Sequence, residues 1–574
     1  MIIGLDTNRF PQWLIAIAGI FFAVFLHFSK LNRIFADAFI MNYELCIMNC
    51  LLYMRRSLII LFALLMTIYS WCADFTLGAD ISWCTEMEAR GQKICNYLGE
   101  EREATALMKE MGMDAVRLRV WVDPAEHGNY CNADDVLAKA LRAKALGMDV
   151  MIDFHYSDWW ADPAKQNIPK AWEKHKYKQL CTDVAEHTKS VLTLLKDNGV
   201  QPKWVQVGNE TSNGFLWPVG KIRETDGELK GMWMDEGQMK QYAGLFKAGY
   251  DAVKAVFPEA MVIAHLDKGY DAELYMTNLD ALKNNGAKWD MIGMSVYPYW
   301  AFDSGYTGTI DRLYSECMQN IKDLFARYGT ETMIVETGFL VDESDPMTTG
   351  QGREDFQRLI ELSKTATDGH CKGVFYWEPT CRPSQYKLGA FHEDGKPTDI
   401  MRVVTMEKIM AGALSPKGYD RRLMDMETSM GTIAIELYNE TPKHRDVYIA
   451  SAKDGSLNGT LFNRVIKNFM IQGGKTGDGA TIDAEIQYPR FWHKKGAVAA
   501  AREGDEKNPT FKSRANQFYI VWGNASHLDK TYTVFGEVVG GMDVVDKIRQ
   551  VPVDHAKGDK PINEVKIISL EMKN

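Results

Sequence analysis

Eight short apolar runs, separated by longer amphipathic stretches, occupy residues 75–405 and constrain the fold more than any other feature. They are FTLGADIS (75–82), AVRLRVW (115–121), DVMIDFHY (149–156), WVQVGNE (204–210), MVIAH (261–265), MIGMSVYP (291–298), TMIVETG (332–338) and GVFYWEP (373–379). Strand-length runs alternating with helix-length stretches predict parallel βαβ units. Eight of them in about 330 residues predict an α/β fold, a (β/α)8 TIM barrel, whose chemistry lies at the C-terminal ends of the strands. Those ends carry Asp80, Arg119, His155, Asp158, Glu210, His265, Tyr297, Glu336 and Trp377. One polar strand end means little, but polar ends on nearly every strand point to a site.

Two of these residues are glutamates, on the fourth and seventh runs, which face each other across a barrel mouth. Paired carboxyl groups suit glycoside hydrolysis, which needs one protonated and one ionised carboxyl flanking the anomeric carbon. Glu210 is the candidate general acid/base and Glu336 the candidate nucleophile. Asn209, beside the acid, is placed to bond a sugar 2-hydroxyl. Tyr297 and Arg119 are the candidate donors that keep Glu336 ionised, while desolvation raises Glu210. Fifteen Trp supply flat faces on which sugars stack, with Trp159, Trp160 and Trp300 as candidates beside Trp377. A net charge of −10 argues against a general nucleic-acid partner, which requires a basic face.

The motifs that carry these residues resemble one family closely. GADISW (78–83), RLRVWVDP (117–124), DFHYSDWWADPAKQ (153–166), VQVGNE (205–210), SVYPYW (295–300), VETGF (335–339) and YWEP (376–379) resemble glycoside hydrolase family 53, within the clan of retaining barrel glycosidases. The resemblance covers about 76–405 and implies an endo-β-1,4-galactanase acting on the galactan side chains of type I arabinogalactan. It implies no cofactor. Some relatives hold a structural calcium in a late loop; no clear Asp-x-Asp run is present here, and calcium is left open. No CxxC pair suggests zinc. Cys84 and Cys95, and Cys371 and Cys381, are close enough in sequence to be disulfides in an oxidising compartment or free buried thiols.

Residues 1–73 read as an extension. Met54-Arg55-Arg56, an apolar stretch from Leu58 to Tyr69 and then Ser70-Trp71-Cys72 read as a secretory signal peptide, with Met54 as the true start. Lipidation of Cys72 and a membrane anchor at 13–28 are the alternatives, and the membrane is a partner only through this segment. The implied location is a bacterial periplasm, cell surface or medium.

The barrel pattern, assigned to 74–408, breaks at a Pro- and Gly-containing basic stretch, ALSPKGYDRR, within a linker at 409–424. A second domain follows at 425–574, with short alternating strands. LFNRVIKNFMIQGG (461–474), GAVAAAREGDEKNP (496–509), NQFYIVWG (516–523) and TYTVFGEVVGGMDVVDKI (531–548) resemble the cyclophilin peptidyl-prolyl isomerases. That resemblance implies a closed β-barrel acting on proline-containing polypeptides. Arg464 would stabilise the twisted amide, Gln472 would orient it, and Phe469, Met470, Tyr519 and Leu528 would line the proline pocket. Asn463, His527 and Tyr532 depart from the family's usual His, Trp and His. The reading is a two-activity chain. A folding factor beside a barrel that only binds carbohydrate is the alternative.

Overall fold

The computed structural model describes residues 75–477, 479–523 and 525–573. The signal-peptide, lipidation and anchor readings lie outside them. Residues from Phe75 onward form one compact unit.

Eight parallel strands close into a barrel in sequence order: β1 Thr76–Asp80, β2 Ala115–Val120, β3 Asp149–Phe154, β4 Trp204–Val207, β5 Met261–Leu266, β6 Met291–Ser295, β7 Thr332–Glu336 and β8 Cys371–Trp377. A layer helix follows each strand: α1 Ala104–Glu110, α2 Ala133–Ala145, α3 Tyr177–Asp197, α4 Glu236–Val256, α5 Ala272–Asn284, α6 Ile310–Tyr328, α7 Pro346–Thr365 and α8 Asp399–Met410, with further short helices Cys84–Ala89 after β1 and Pro298–Asp303 after β6. Local chemistry sets their ends. The Asn132 side chain accepts the Asp135 N–H at the start of α2, Thr309 accepts the Arg312 N–H at the start of α6, and left-handed Gly329 stops α6.

Strand side chains alternate between the helix layer and the barrel interior. Leu77, Ala79, Val116, Leu118, Ile152 and Ile334 pack outward under the helices. Ala115, Met151, Trp204, Ile263, Met291, Met333, Val335 and Phe375 plug the bottom of the barrel. The next inward residues, Asp80, Arg117, Asp153, Gln206 and His265, are polar and fully or almost fully buried. The site therefore rests on a dry apolar floor.

The second domain is an antiparallel sheet of β9 Arg422–Thr428, β10 Gly431–Leu437, β11 Leu461–Ile466, β12 Met470–Gly474, β13 Ala497–Arg502, β14 Ser513–Val521, β15 Val534–Gly540 and β16 Ile567–Met572. Helices α9 Pro442–Asp454 and α10 Met542–Arg549 complete it. The spatial order is β11-β12-β14-β13-β15-β10-β9-β16. The sheet curls until its edges meet at a bridge between Leu461 and Lys566, a seam in place of a full ladder.

The stretch read as a linker is built into a joint. Leu423 packs with Met406 and Ile409 of α8. Arg402 of α8 grips Asp420 through two hydrogen bonds of 2.6 and 2.9 Å. Buried Arg421 meets Glu436 at 3.1 Å and Asp399 at 3.2 Å, and Arg353 of α7 pairs with Glu436 and Glu537. β9 begins at Arg422, inside the stretch assigned to the linker. All seven described cysteines are free, so neither Cys84–Cys95 nor Cys371–Cys381 is a disulfide. No helix among the described residues is long and apolar enough to cross a membrane.

Candidate functional site

The polar layer is organised by one arginine. Arg117 donates from Nη1 to Asp80 Oδ2 at 2.7 Å, from Nε to Gln206 Oε1 at 2.8 Å and from Nη2 to Asn209 Oδ1 at 2.9 Å. The same Nη2 lies 2.8 Å from Glu336 Oε1 and 2.9 Å from Asp153 Oδ2. The other Glu336 oxygen accepts the Tyr297 hydroxyl at 3.0 Å. Glu336 reaches this position through a register break. Met294 pairs with Ile334 and Ser295 with Glu336, leaving Val335 as an extra residue in β7. Val335 and Glu336 therefore both point inward, against strict alternation, as a bulge permits.

Glu210 is set by backbone conformation. Gly208 has φ 84° and Glu210 φ 45°, so the chain turns sharply after β4 and carries the carboxyl group over the mouth. Glu210 is half-buried, and its Oε1 accepts the Ser295 hydroxyl at 2.6 Å. Behind Ser295 stands His265, whose Nε2 lies 2.9 Å from Ser295 Oγ. His265 Nδ1 accepts from Gln206 Nε2 and from the Glu210 N–H, which assigns the proton to Nε2. Burial and the nearby Arg117 charge hold His265 neutral. The two glutamates are thus joined through Ser295, His265, Gln206 and Arg117.

Their electrostatics differ. Burial raises Glu210 well above the ordinary carboxyl range, and the charges of Glu336 and Asp267 add to that rise, with only the Ser295 hydroxyl opposing it. Burial also raises Glu336, to about 7, but the Arg117 guanidinium and the Tyr297 hydroxyl pull it back. Glu336 is therefore not the low-pKa carboxylate expected from its donors. Of the pair, Glu210 is the one drawn down by a hydroxyl alone, and among the described residues no ion pair joins it to a cation, so its environment favours the protonated form.

Aromatic rings line one side of the mouth. Trp377 lies 5.4 Å from Trp83, 5.9 Å from Trp160 and 4.8 Å from Tyr386 between ring centroids. Trp300 reaches Tyr386 through its indole N–H and is 36% exposed, the open platform among the candidates. Trp159 is stacked on His127 at 3.5 Å, and Trp160 carries the Arg119 guanidinium at 4.1 Å, so neither offers both faces.

In the second domain, Arg464 pairs across the ladder with Gln472, which pairs with Tyr519 on β14. Met470 and Tyr519 are buried in one cluster, with Phe469, Leu528 and Tyr532 at its margin. His527 packs against Phe469 at 5.3 Å. Among the described residues no side-chain hydrogen bond joins Gln472 to Arg464. The exposed guanidinium faces Asp559 instead, at 4.0 Å.

The model for glycosyl hydrolase family 53 matches residues 76–415. The chain belongs to that family. A second model, cyclophilin type peptidyl-prolyl cis-trans isomerase/CLD, matches residues 423–572. An uncharacterized protein in the bgaB 5' region of Niallia circulans is 33% identical over 336 residues, 55% of this chain and 87% of the relative. The endo-beta-1,4-galactanase of Bacillus subtilis is 32% identical over 332 residues, 54% of this chain and 71% of the relative. The solved Ignisphaera aggregans GH53 catalytic domain is 30% identical with a TM-score of 0.50, covering 58% of this chain and 95% of that one.

Within this family 53 barrel, the guanidinium on Glu336 is that of Arg117, and the expectation of Arg119 is corrected. Both point inward because they are two residues apart, but Arg119 sits among Trp83, Trp121 and Trp160, facing Glu378 at 3.6 Å. Asp80, His155 and His265 are almost fully buried, and their hydrogen bonds run to other members of the polar layer. His155 donates from Nε2 to Asp153, and Asp80 is held by Arg117 and Ser82. Asp158 accepts the backbone N–H groups of Asp123 and Lys170 and staples the loop after β3. Asn209 donates to the Ala161 carbonyl, leaving one amide hydrogen for the cavity. Sequence reasoning missed Arg117, Asp153, Gln206, Ser295 and Glu378. Their signal was polarity at inward positions of otherwise apolar strands. Among the described residues no cluster of three or more His, Cys, Asp and Glu is placed to hold a metal ion.

Proposed function

We propose that the barrel is an endo-β-1,4-galactanase that cleaves with retention, and that residues 423–572 isomerise X–Pro bonds in polypeptides. One observation carries the hydrolase reading: half-buried Glu210 lies close enough to buried Glu336 to feel its charge, and among the described residues the guanidinium contact is on Glu336 alone. Glu210 protonates the departing glycosidic oxygen while Glu336 attacks the anomeric carbon. Glu210, now ionised, then takes a proton from water, which releases the sugar from Glu336. Asn209 meets the sugar 2-hydroxyl with its remaining amide hydrogen, and Trp300 and Trp377 offer ring faces. The galactan preference is supported by the Bacillus subtilis relative and by no single contact here.

In the second domain, Arg464 donates to the amide whose resonance is lost in the twisted state, over a pocket of Phe469, Met470, Tyr519 and Leu528. The basic-then-apolar run at 54–72 supports export of the chain. The test incubates purified protein with galactan, arabinan, β-mannan and β-glucan and separates the products. Oligosaccharides from galactan alone are expected. Cleavage of mannan or β-glucan but not galactan overturns the substrate.

A further inference from the structure

The segment from Arg490 to Lys494, Arg-Phe-Trp-His-Lys, faces two ways. Arg490, Trp492 and Lys494 turn to the joint. Arg490 meets Glu440 at 2.7 Å and Asp399 of α8 at 3.9 Å. Lys494 pairs with Glu354 of α7 and, at 2.7 Å, with Glu537. Trp492 lies so close over Gly350 of α7 that a Cβ there would come within 2.6 Å of its ring.

Phe491 and His493 turn the other way, into the isomerase domain. Phe491 stacks on Tyr438 at 3.9 Å and belongs to the cluster that holds Met470 and Tyr519. His493 is 1% exposed. Its Nδ1 lies 2.8 Å from Asp529 Oδ1, which also accepts the His493 backbone N–H, so Nδ1 carries the proton. Nε2 is then free to accept the buried Tyr519 hydroxyl at 2.9 Å. A phenol this deep needs an acceptor, and His493 supplies it.

We propose that the hydrolase barrel sets the proline pocket of the isomerase through this strap: docking on α7 and α8 fixes His493, and His493 fixes Tyr519. His493 is a positioning residue that acts through Tyr519, and the barrel face is part of the isomerase's working structure. The inference rests on reading residues 423–572 as an active isomerase.

The experiment measures kcat/KM for isomerisation of an Xaa-Pro tetrapeptide by the full chain. Gly350→Leu, which displaces Trp492 but suits a helix, is expected to lower it by about fivefold or more, with galactan hydrolysis at the unmodified level. Glu354→Gln, which keeps the shape and weakens the Lys494 contact, should act in the same direction. His493→Leu should lose activity and His493→Gln, which restores an acceptor, should recover it. In a Tyr519→Phe background, which needs no acceptor, Gly350→Leu should change kcat/KM by less than about twofold. Unchanged isomerisation in both Gly350→Leu and Glu354→Gln would overturn the proposal, as would equal losses with Tyr519 or Phe. An unmodified chain without isomerase activity is a different failure, that of the isomerase reading itself.

Discussion

At the residue scale, the hydrolase site separates two similar carboxyl groups by the donors that face them. Glu336 must be ionised to attack, so hydrolysis is expected to fall as the pH drops through about 7. The Tyr297 hydroxyl favours the ionised form. Tyr297→Phe therefore raises Glu336 and moves the acid limb of the kcat/KM profile to higher pH. Ser295 favours ionised Glu210 in the same way, so Ser295→Ala raises Glu210 and moves the alkaline limb upward. Both limbs belong to the coupled pair, and pH–rate profiles of the two variants check the directions. A limb that moves downward in either variant contradicts the assignment.

At the element scale, the irregular ends of β4 and β7 carry the chemistry. Deleting Val335 would leave Glu336 facing inward but draw it back by about 3.3 Å, one strand residue, away from Arg117 and Tyr297. The expected outcome is an intact fold by circular dichroism with galactan hydrolysis down by more than about a hundredfold. Near-normal hydrolysis would show that the bulge is incidental. This element also marks where sequence reasoning stopped. Strand count, barrel closure and both glutamates were legible, because run length and strand-end polarity are local signals. The choice between Arg117 and Arg119 was not, since period two places both on one face and only the registers with β1 and β3 select the layer. Val335 hid the parity change, because a bulge leaves no mark in apolar residues. At the linker, Pro416 and Gly418 signal the turn between α8 and β9, but burial of Arg421 and Leu423 depends on partner surfaces on α8 and β10 that no local pattern announces.

At the scale of the whole molecule, the two domains meet over buried charge. Removing one partner of such a network leaves the others uncompensated, so Arg353→Ala is expected to cost about 3–5 kcal/mol in denaturant unfolding. Burial alone would raise Asp399, but Arg421, Arg402, Arg353 and Arg490 hold it well below its ordinary value of 3.8. A depressed carboxylate stabilises the fold above that value and loses its contribution as the pH falls below it. Acidification below 3.8 should therefore loosen the joint, read as a fall in unfolding midpoint that Asp399→Asn abolishes. The barrel works as one catalytic body, in which Glu336 attacks from one side and water later returns from the side of the sugar that the leaving group left. Proton magnetic resonance of galactan during the first minutes of hydrolysis, before mutarotation, tests it directly. New reducing ends should appear as the β-anomer. If the α-anomer appears first, the two glutamates work by inversion and the account of Glu336 as nucleophile is wrong.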